Sequence, residues 1–434
     1  MSRKVKLFEV ADIFPSNVDK VIHKEELPVK LCNYMDVYNN RYIHSRIIFS
    51  DGSVNASELV KFQLIKNDVL ITKDSETPDD IAVPSVITED IDNLVCGYHL
   101  ALIRPFNCHG EFLMHYLLLD DIKKQFSNKA NGSTRYGLTL DSIRNISLNL
   151  PPLPIQRKIA QILSTVDGQI EKTEAIIEKY KAIKQGLLQD LFTRGIDVNT
   201  GKLRPAYKDA PHLYKDSPLG MVPKEWEVVR LEKVLEKVGS GKTPLGGSEV
   251  YQESGVLFIR SQNVLVNELS LEDVAFISEA IDTNMASTRV KPYDVLLNIT
   301  GASIGRATYF PLDLKVANVN QHVCILRPFY PSFELALFLS EYLNDYQGQS
   351  QIFKLIAGGN REGLNFQQIK AMHFIVPKHE EMILIINRMT ALNKLLKSEL
   401  STLTKLLHVK QGLMSDLLSG RKEVKVEGKL EVKI

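Results

Sequence analysis

The sequence predicts an α+β chain: two pseudo-symmetric mixed α/β domains separated by two long antiparallel coiled-coil helices. Three observations predict it. First, the chain repeats itself at an offset of 226 residues, so that Lys184-Gln185-Gly186-Leu187 and Asp190-Leu191 return as Lys410-Gln411-Gly412-Leu413 and Asp416-Leu417. The same offset carries Asp68-Val69-Leu70 to Asp294-Val295-Leu296, Gly137-Leu138 to Gly363-Leu364, Pro151 to Pro377 and Ile159 to Ile385. A nearly equal one carries Arg104-Pro105-Phe106 to Arg327-Pro328-Phe329. Second, each copy opens with short strand-like runs broken by turn residues. Third, each copy closes on a long apolar stripe at helical spacing. A period this long marks one structural unit used twice. The copies agree in their helical ends and differ in their globular parts.

Residues 1–150 form the first domain, with Val69-Leu70-Ile71-Thr72 and His99-Leu100-Ala101-Leu102-Ile103 as strands. Phe112 to Phe126 reads as one helix, its apolar face formed by Leu113, Tyr116, Leu117 and Ile122. Residues 151–195 are the first long helix, opened by Pro151, Pro152 and Pro154 and closed at Gly195. Its length of about 40 residues corresponds to about 60 Å. Residues 196–225 form an irregular connector punctuated by Pro205, Pro211, Pro218 and Pro223. Residues 226–376 repeat the first domain's plan, with strands at Val256-Leu257-Phe258-Ile259, Val295-Leu296-Leu297 and His322 to Leu326, and a helix at about Phe333 to Tyr346. Residues 377–420 are the second long helix, and 421–434 a charged tail.

An isolated apolar stripe of this length needs a partner, and the other copy is the obvious one. Pairing is assigned to Ile159, Val166, Ile170, Ile177, Leu187 and Leu191 on the first helix, and to Ile385, Leu392, Leu396, Leu403, Leu413 and Leu417 on the second. Gly186 and Gly412 lie inside these helices, where glycine costs roughly 1 kcal/mol relative to alanine. Either close helix approach or a local kink accounts for them.

Composition sets bounds. At 434 residues, with 44% hydrophobic and 24% charged residues, the chain is an ordinary globular one. No apolar run reaches the roughly 18 residues of a membrane span, and the basic start lacks a secretory apolar core. Cys32, Cys96, Cys108 and Cys324 show no repeat-related pairing, which suits a reducing cytoplasm better than a disulfide scaffold. The net charge of +1 argues against a simple basic nucleic-acid binder. Residues 1–150 hold 17 Lys plus Arg against 20 Asp plus Glu, a net of −3.

Several stretches resemble chemical motifs and fail on inspection. Gly239-Ser240-Gly241-Lys242-Thr243 has Glu236 where a phosphate-binding loop needs glycine, and Pro244 follows it. A strand-ending turn explains it better. Cys96, His99, Cys108 and His109 fit no zinc-site spacing, and a packed strand pair is the plainer reading. Asn149-Leu150-Pro151-Pro152-Leu153 lacks the aromatic residue of an amino-methylating motif and any accompanying glycine-rich cofactor loop. No catalytic or metal site is expected. Two polar loops remain. Asn128 to Arg135 corresponds to Ala357-Gly358-Gly359-Asn360-Arg361, and Thr300 to Arg306 forms a glycine-marked hairpin. Both suit contact with phosphates or base edges, and both are also ordinary solvated turns. The DNA-binding candidates are Lys129, Asn131, Ser133, Thr134 and Arg135 in the first copy, and Lys242, Arg306, Asn360 and Arg361 in the second.

Taken together, the chain resembles the DNA specificity subunit of a type I restriction–modification system over essentially its whole length. The resemblance is carried by Leu150 to Ala160 entering the first long helix, Lys184 to Phe192 closing it, and the connector from Gly195 to Trp226. Ser240-Gly241-Lys242-Thr243-Pro244 and Thr300 to Gly305 are also similar to that family's recognition domain. The first domain departs there with Thr72 to Asp80, and the second helix departs with Lys378-His379-Glu380-Glu381-Met382. The resemblance implies two target-recognition domains, each reading half of a split, asymmetric site in double-stranded DNA. It implies helices that set the half-site spacing and dock two methyltransferase subunits, with restriction/translocase subunits completing the complex. S-adenosylmethionine would then belong to the methyltransferase subunits, ATP and magnesium to the restriction subunits, and neither to this chain. Antiparallel helices would hold the two readers up to about 60 Å apart, about one to one and a half turns of DNA. A coiled-coil protein scaffold without a DNA role, or a partner to a fused methyltransferase–nuclease, are the competing expectations.

Overall fold

The computed structural model describes residues 3–314, 316–357 and 363–425. The chain forms two compact units: residues 1–176 with 399–434, and residues 177–398. Each unit therefore takes one globular domain, half of one long helix and half of the other.

In the first unit, Arg3–Lys6 pairs antiparallel with Ser147–Leu150, so the domain closes on its own ends. Between them lies a five-stranded sheet in the order Ala11–Pro15, Leu100–Pro105, Val69–Thr72, Pro84–Ile87, Tyr42–Ile43. A smaller sheet orders Ser50–Val54, Leu27–Cys32 and Leu94–Cys96. Val69–Thr72 and Pro84–Ile87 are buried at every position, as strands covered on both faces must be. The single helix expected from Phe112 to Phe126 is two, Gly110–Leu117 and Asp120–Ser127. Leu119 is extended, and Asp120 and Asp121 then open a new first turn, where acidic side chains favour a helix start.

The second unit repeats the closure, Glu227–Arg230 pairing with His373–Val376. Its sheets run Leu235–Ser240, Val323–Pro328, Val295–Asn298, Ala307–Tyr309 and Ala275–Ile277, Val256–Ile259, Ala317–Val319, Arg289–Val290. The expected helix at Phe333 ends at Asn344, and a second follows from Tyr346 to Ala357.

The first long helix is Leu153–Thr193; the second is His379–Leu413, followed by a π-helical turn at Met414–Leu418. In the first unit Ile159, Ala160 and Leu163 share a core with Leu417 and Leu418. In the second, Leu188 and Leu191 share one with Ile385, Ile386 and Met389. The start of each long helix thus meets the end of the other, an antiparallel arrangement. Of the residues assigned to pairing, Ile159, Val166, Ile170, Ile177, Leu191, Ile385, Leu392 and Leu417 are buried, while Leu187, Leu396, Leu403 and Leu413 are half-buried. Close approach does not explain the helix glycines. A β-carbon at Gly186 or Gly412 would meet nothing within 4 Å.

Candidate nucleic-acid interface

Loops that are distant in sequence converge in each domain, at positions related by the repeat. In the first domain the strand ending at Thr72 delivers Lys73 and Asp74. The Asp74 carboxylate bonds His99 Nδ1 at 2.6 Å, and Gly137 pairs with Asp74 in a two-residue ladder. In the second domain the equivalent residues are Thr300, 226 positions after Asp74, with His322 and Gly363. Thr300 Oγ1 and His322 Nδ1 lie 2.5 Å apart, and Thr300 bridges to Gly363. A partner on Nδ1 fixes the orientation of the imidazole in both junctions.

Around Asp74 and His99 the first domain adds aromatic and cationic groups. Lys73 Nζ lies 5.0 Å over the Tyr98 ring and bonds the Ser16 carbonyl. Asn131 pairs with Gly137, which ties the 128–135 loop to this junction. Gly132 makes that loop's turn possible, since a β-carbon there would lie 2.0 Å from the Arg135 carbonyl oxygen. The turn leaves Asn131, Ser133, Thr134 and Arg135 exposed and Lys129 half-buried. Nearby, Tyr34 and Tyr38 stack with ring centroids 5.7 Å apart. Burial and then the Asp80 carboxylate raise the Tyr34 phenol above its ordinary value, and the charge of Arg135 pulls the other way.

The second domain builds its junction from different side chains. Thr243 bonds Gln321, and Gln321 contacts His322 Nε2 at 3.0 Å. Gly241 permits the approach of this loop: a β-carbon would sit 1.6 Å from the Val319 carbonyl oxygen. Lys242 is exposed beside Thr243, and the turn at 239–243 ends a strand. Asn298 pins the neighbouring hairpin through Ser303 Oγ at 3.1 Å, and Arg306 is exposed at its end. Asn360 and Arg361 lie outside the described residues.

Asp74, His99, Thr300, Gln321 and His322 were not among the sequence candidates. The signal was present, since Asp74 and Thr300 share the 226-residue offset and His99 has a near-offset mate in His322. Asp74 and Thr300 differ in residue type, which hid the equivalence. Among the described residues, no group of three or more His, Cys, Asp or Glu side chains is placed to hold a metal ion.

The sequence profile described as "Type I restriction modification DNA specificity domain" matches residues 2–182 and again 223–408. The chain belongs to this family. It is a type I restriction–modification specificity subunit with two recognition domains, and the profile's two matches follow its internal repeat. Over 382 residues the subunit is 24% identical to a putative type I restriction enzyme MjaX specificity subunit of Methanocaldococcus jannaschii, covering 86% of this chain and 82% of that one. It is 26% identical over 288 residues to the MjaVIII specificity subunit of the same organism, covering 65% and 63%. The crystal structure of a type I restriction–modification S subunit from M. genitalium has the same fold, with a TM-score of 0.60 and 14% identity over 98% of this chain and 97% of that one.

The specificity subunit's irregular second helix start has a physical cause within its second unit. Glu381 stands 226 positions after Ile155 and is fully buried. It accepts from the Ile196 amide at 2.8 Å and holds the Arg204 guanidinium through both oxygens. Glu381 thereby ties the start of the second helix to the connector that leaves the first.

Proposed function

We propose that each recognition domain reads one half of a bipartite, asymmetric DNA site. On this reading residues 1–150 are the first reader and 226–376 the second, and the long helices set the half-site spacing and dock two methyltransferase subunits. Adenine methylation and ATP-driven restriction are the work of the partner subunits in the cytoplasm, and this chain supplies no catalytic residue. The observation that carries the reading is the pair of repeat-equivalent junctions, Asp74–His99 and Thr300–His322, built on one frame from unlike side chains. A shared frame with diverged contacts is what two readers of different half-sites require.

The charge distribution supports a complex rather than a lone binder. Residues 226–376 hold 13 Lys plus Arg against 16 Asp plus Glu, a net of −3 that equals the first domain's. With a total of +1, the helices, connector and tail carry the remaining +7. Phosphate neutralisation, which dominates affinity for DNA, is therefore left largely to the partner subunits.

The test is footprinting of the subunit assembled with its methyltransferase. Two protected blocks separated by an accessible spacer are expected. Arg135→Ala should weaken one block and Arg306→Ala the other, each by roughly 1–3 kcal/mol if the guanidinium reads a base. A single continuous block, or loss of both blocks in either variant, contradicts the reading.

A further inference from the structure

Each unit holds a polar cluster around a buried carboxylate where its domain meets the long helices, and the clusters are related residue by residue. In the first unit they are Arg41 and His115 from the domain, Asp167 from the first helix and Lys410 from the second. At the 226-residue offset the second unit has Asn267 and Glu341 from the domain, Asn393 from the second helix and Lys184 from the first. The lysine is common to both, and it is the lysine of the repeated Lys-Gln-Gly-Leu motif.

The carboxylate has changed places. In the first unit it is Asp167, which holds Lys410, accepts from Tyr42 at 2.8 Å and lies 3.3 Å from Arg41. His115 is fully buried beside it, and burial, then the charge of Arg41, brings its imidazole down to about 3, so the ring is neutral. In the second unit the helix supplies a neutral Asn393 and the domain supplies Glu341. Glu341 accepts from Asn393 at 2.9 Å and Asn267 at 2.7 Å, and lies 3.4 Å from Lys184. Both carboxylates are almost wholly buried, at 4% and 0% exposure. In each cluster one carboxylate makes the hydrogen bonds and ion pairs, and the two lie on opposite sides of the domain–helix contact.

We propose that the position of this single carboxylate is a matching code that fits each recognition domain to its own long helix and prevents the two domains from exchanging places. The chemistry is plain in the mismatch. Setting the second domain on the first helix brings Glu341 and Asp167 together against one lysine. Setting the first domain on the second helix gathers Arg41, His115, Asn393 and Lys184 with no carboxylate. A buried like-charged pair is strongly unfavourable, and a half-buried lysine left without its carboxylate is unfavourable as well. Asp167, Glu341 and the two lysines are positioning residues, and the proposal holds whatever the domains read.

The first test transplants one arrangement into the other in the full chain. Asp167→Asn and His115→Glu should each lower the melting temperature of the protein, by roughly 5–10 °C. The double variant reproduces the second unit's arrangement and should recover most of that loss. Losses that simply add overturn the proposal. The second test exchanges residues 1–150 with 226–376, with and without Asp167→Asn plus Asn393→Asp. Only the compensated chain should melt cooperatively near the parent temperature. An uncompensated exchange melting within about 2 °C of the parent overturns the code. If neither exchanged chain folds, the double variant in the parent chain decides.

Discussion

Asp68 and Asp294 do the same work in both recognition domains. Each carboxylate is buried at the start of a core strand, takes two bonds from an arginine (Arg104 at 2.9 and 2.8 Å; Arg327 at 2.8 and 2.7 Å) and caps a turn amide at Ile65 or Lys291. The repeat showed these four charged residues in the sequence, but their pairing needed the strand register, in which Leu100–Ile103 lies antiparallel to Val69–Thr72. Removing one partner of a buried pair strands the other. Asp294→Asn is expected to cost about 3–5 kcal/mol in urea unfolding, and Asp68→Asn less, because Arg104 is more exposed than Arg327. His115 gives a pH dependence of definite sign. Its folded value, down to about 3, lies below the usual value near 6.5 for an unfolded histidine. The stability that the neutral ring contributes is therefore full above about pH 6.5 and drains away as pH falls toward 3. His115→Gln should flatten that part of the urea midpoint's pH profile. An unchanged slope contradicts the assignment.

Among the elements, the long helices were the most legible in the sequence, because uninterrupted 3.6-residue periodicity over about 40 residues has no competing interpretation. What the sequence concealed was local. The break between Gly110–Leu117 and Asp120–Ser127 leaves the apolar spacing intact, so periodicity alone passes over it. The departure at Glu381 reads in the sequence only as a change of residue type; in the fold it anchors the connector through Arg204. The open space around Gly186 and Gly412 separates two roles for those glycines. Alanine at Gly186 should stabilise the subunit by roughly 0.5–1 kcal/mol through helix propensity. If thermal stability rises while affinity for the methyltransferase subunit falls, the glycine serves a partner. If both are unaffected, the propensity argument fails at that site.

For the whole molecule, the repeat was the legible feature, and the two compact units each combine a domain with parts of both long helices. The DNA-facing candidates were only partly legible. Lys129 to Arg135 were visible as a polar loop, but Asp74 with His99 and Thr300 with His322 emerged as a candidate site only when strands brought their loops together. Two domains that each carry −3 cannot hold DNA by charge alone. Affinity of the isolated subunit should therefore be weak at physiological salt and rise sharply on adding methyltransferase, as a titration by fluorescence anisotropy would show; tight binding without partners contradicts this. Whether each domain reads its own half-site is decided by replacing residues 226–376 with the corresponding domain of another specificity subunit. Methylated adenines are then mapped in a host carrying the system. One half of the methylated sequence should change while the other half is retained; a change in both halves, or a single undivided motif, rules out separate readers.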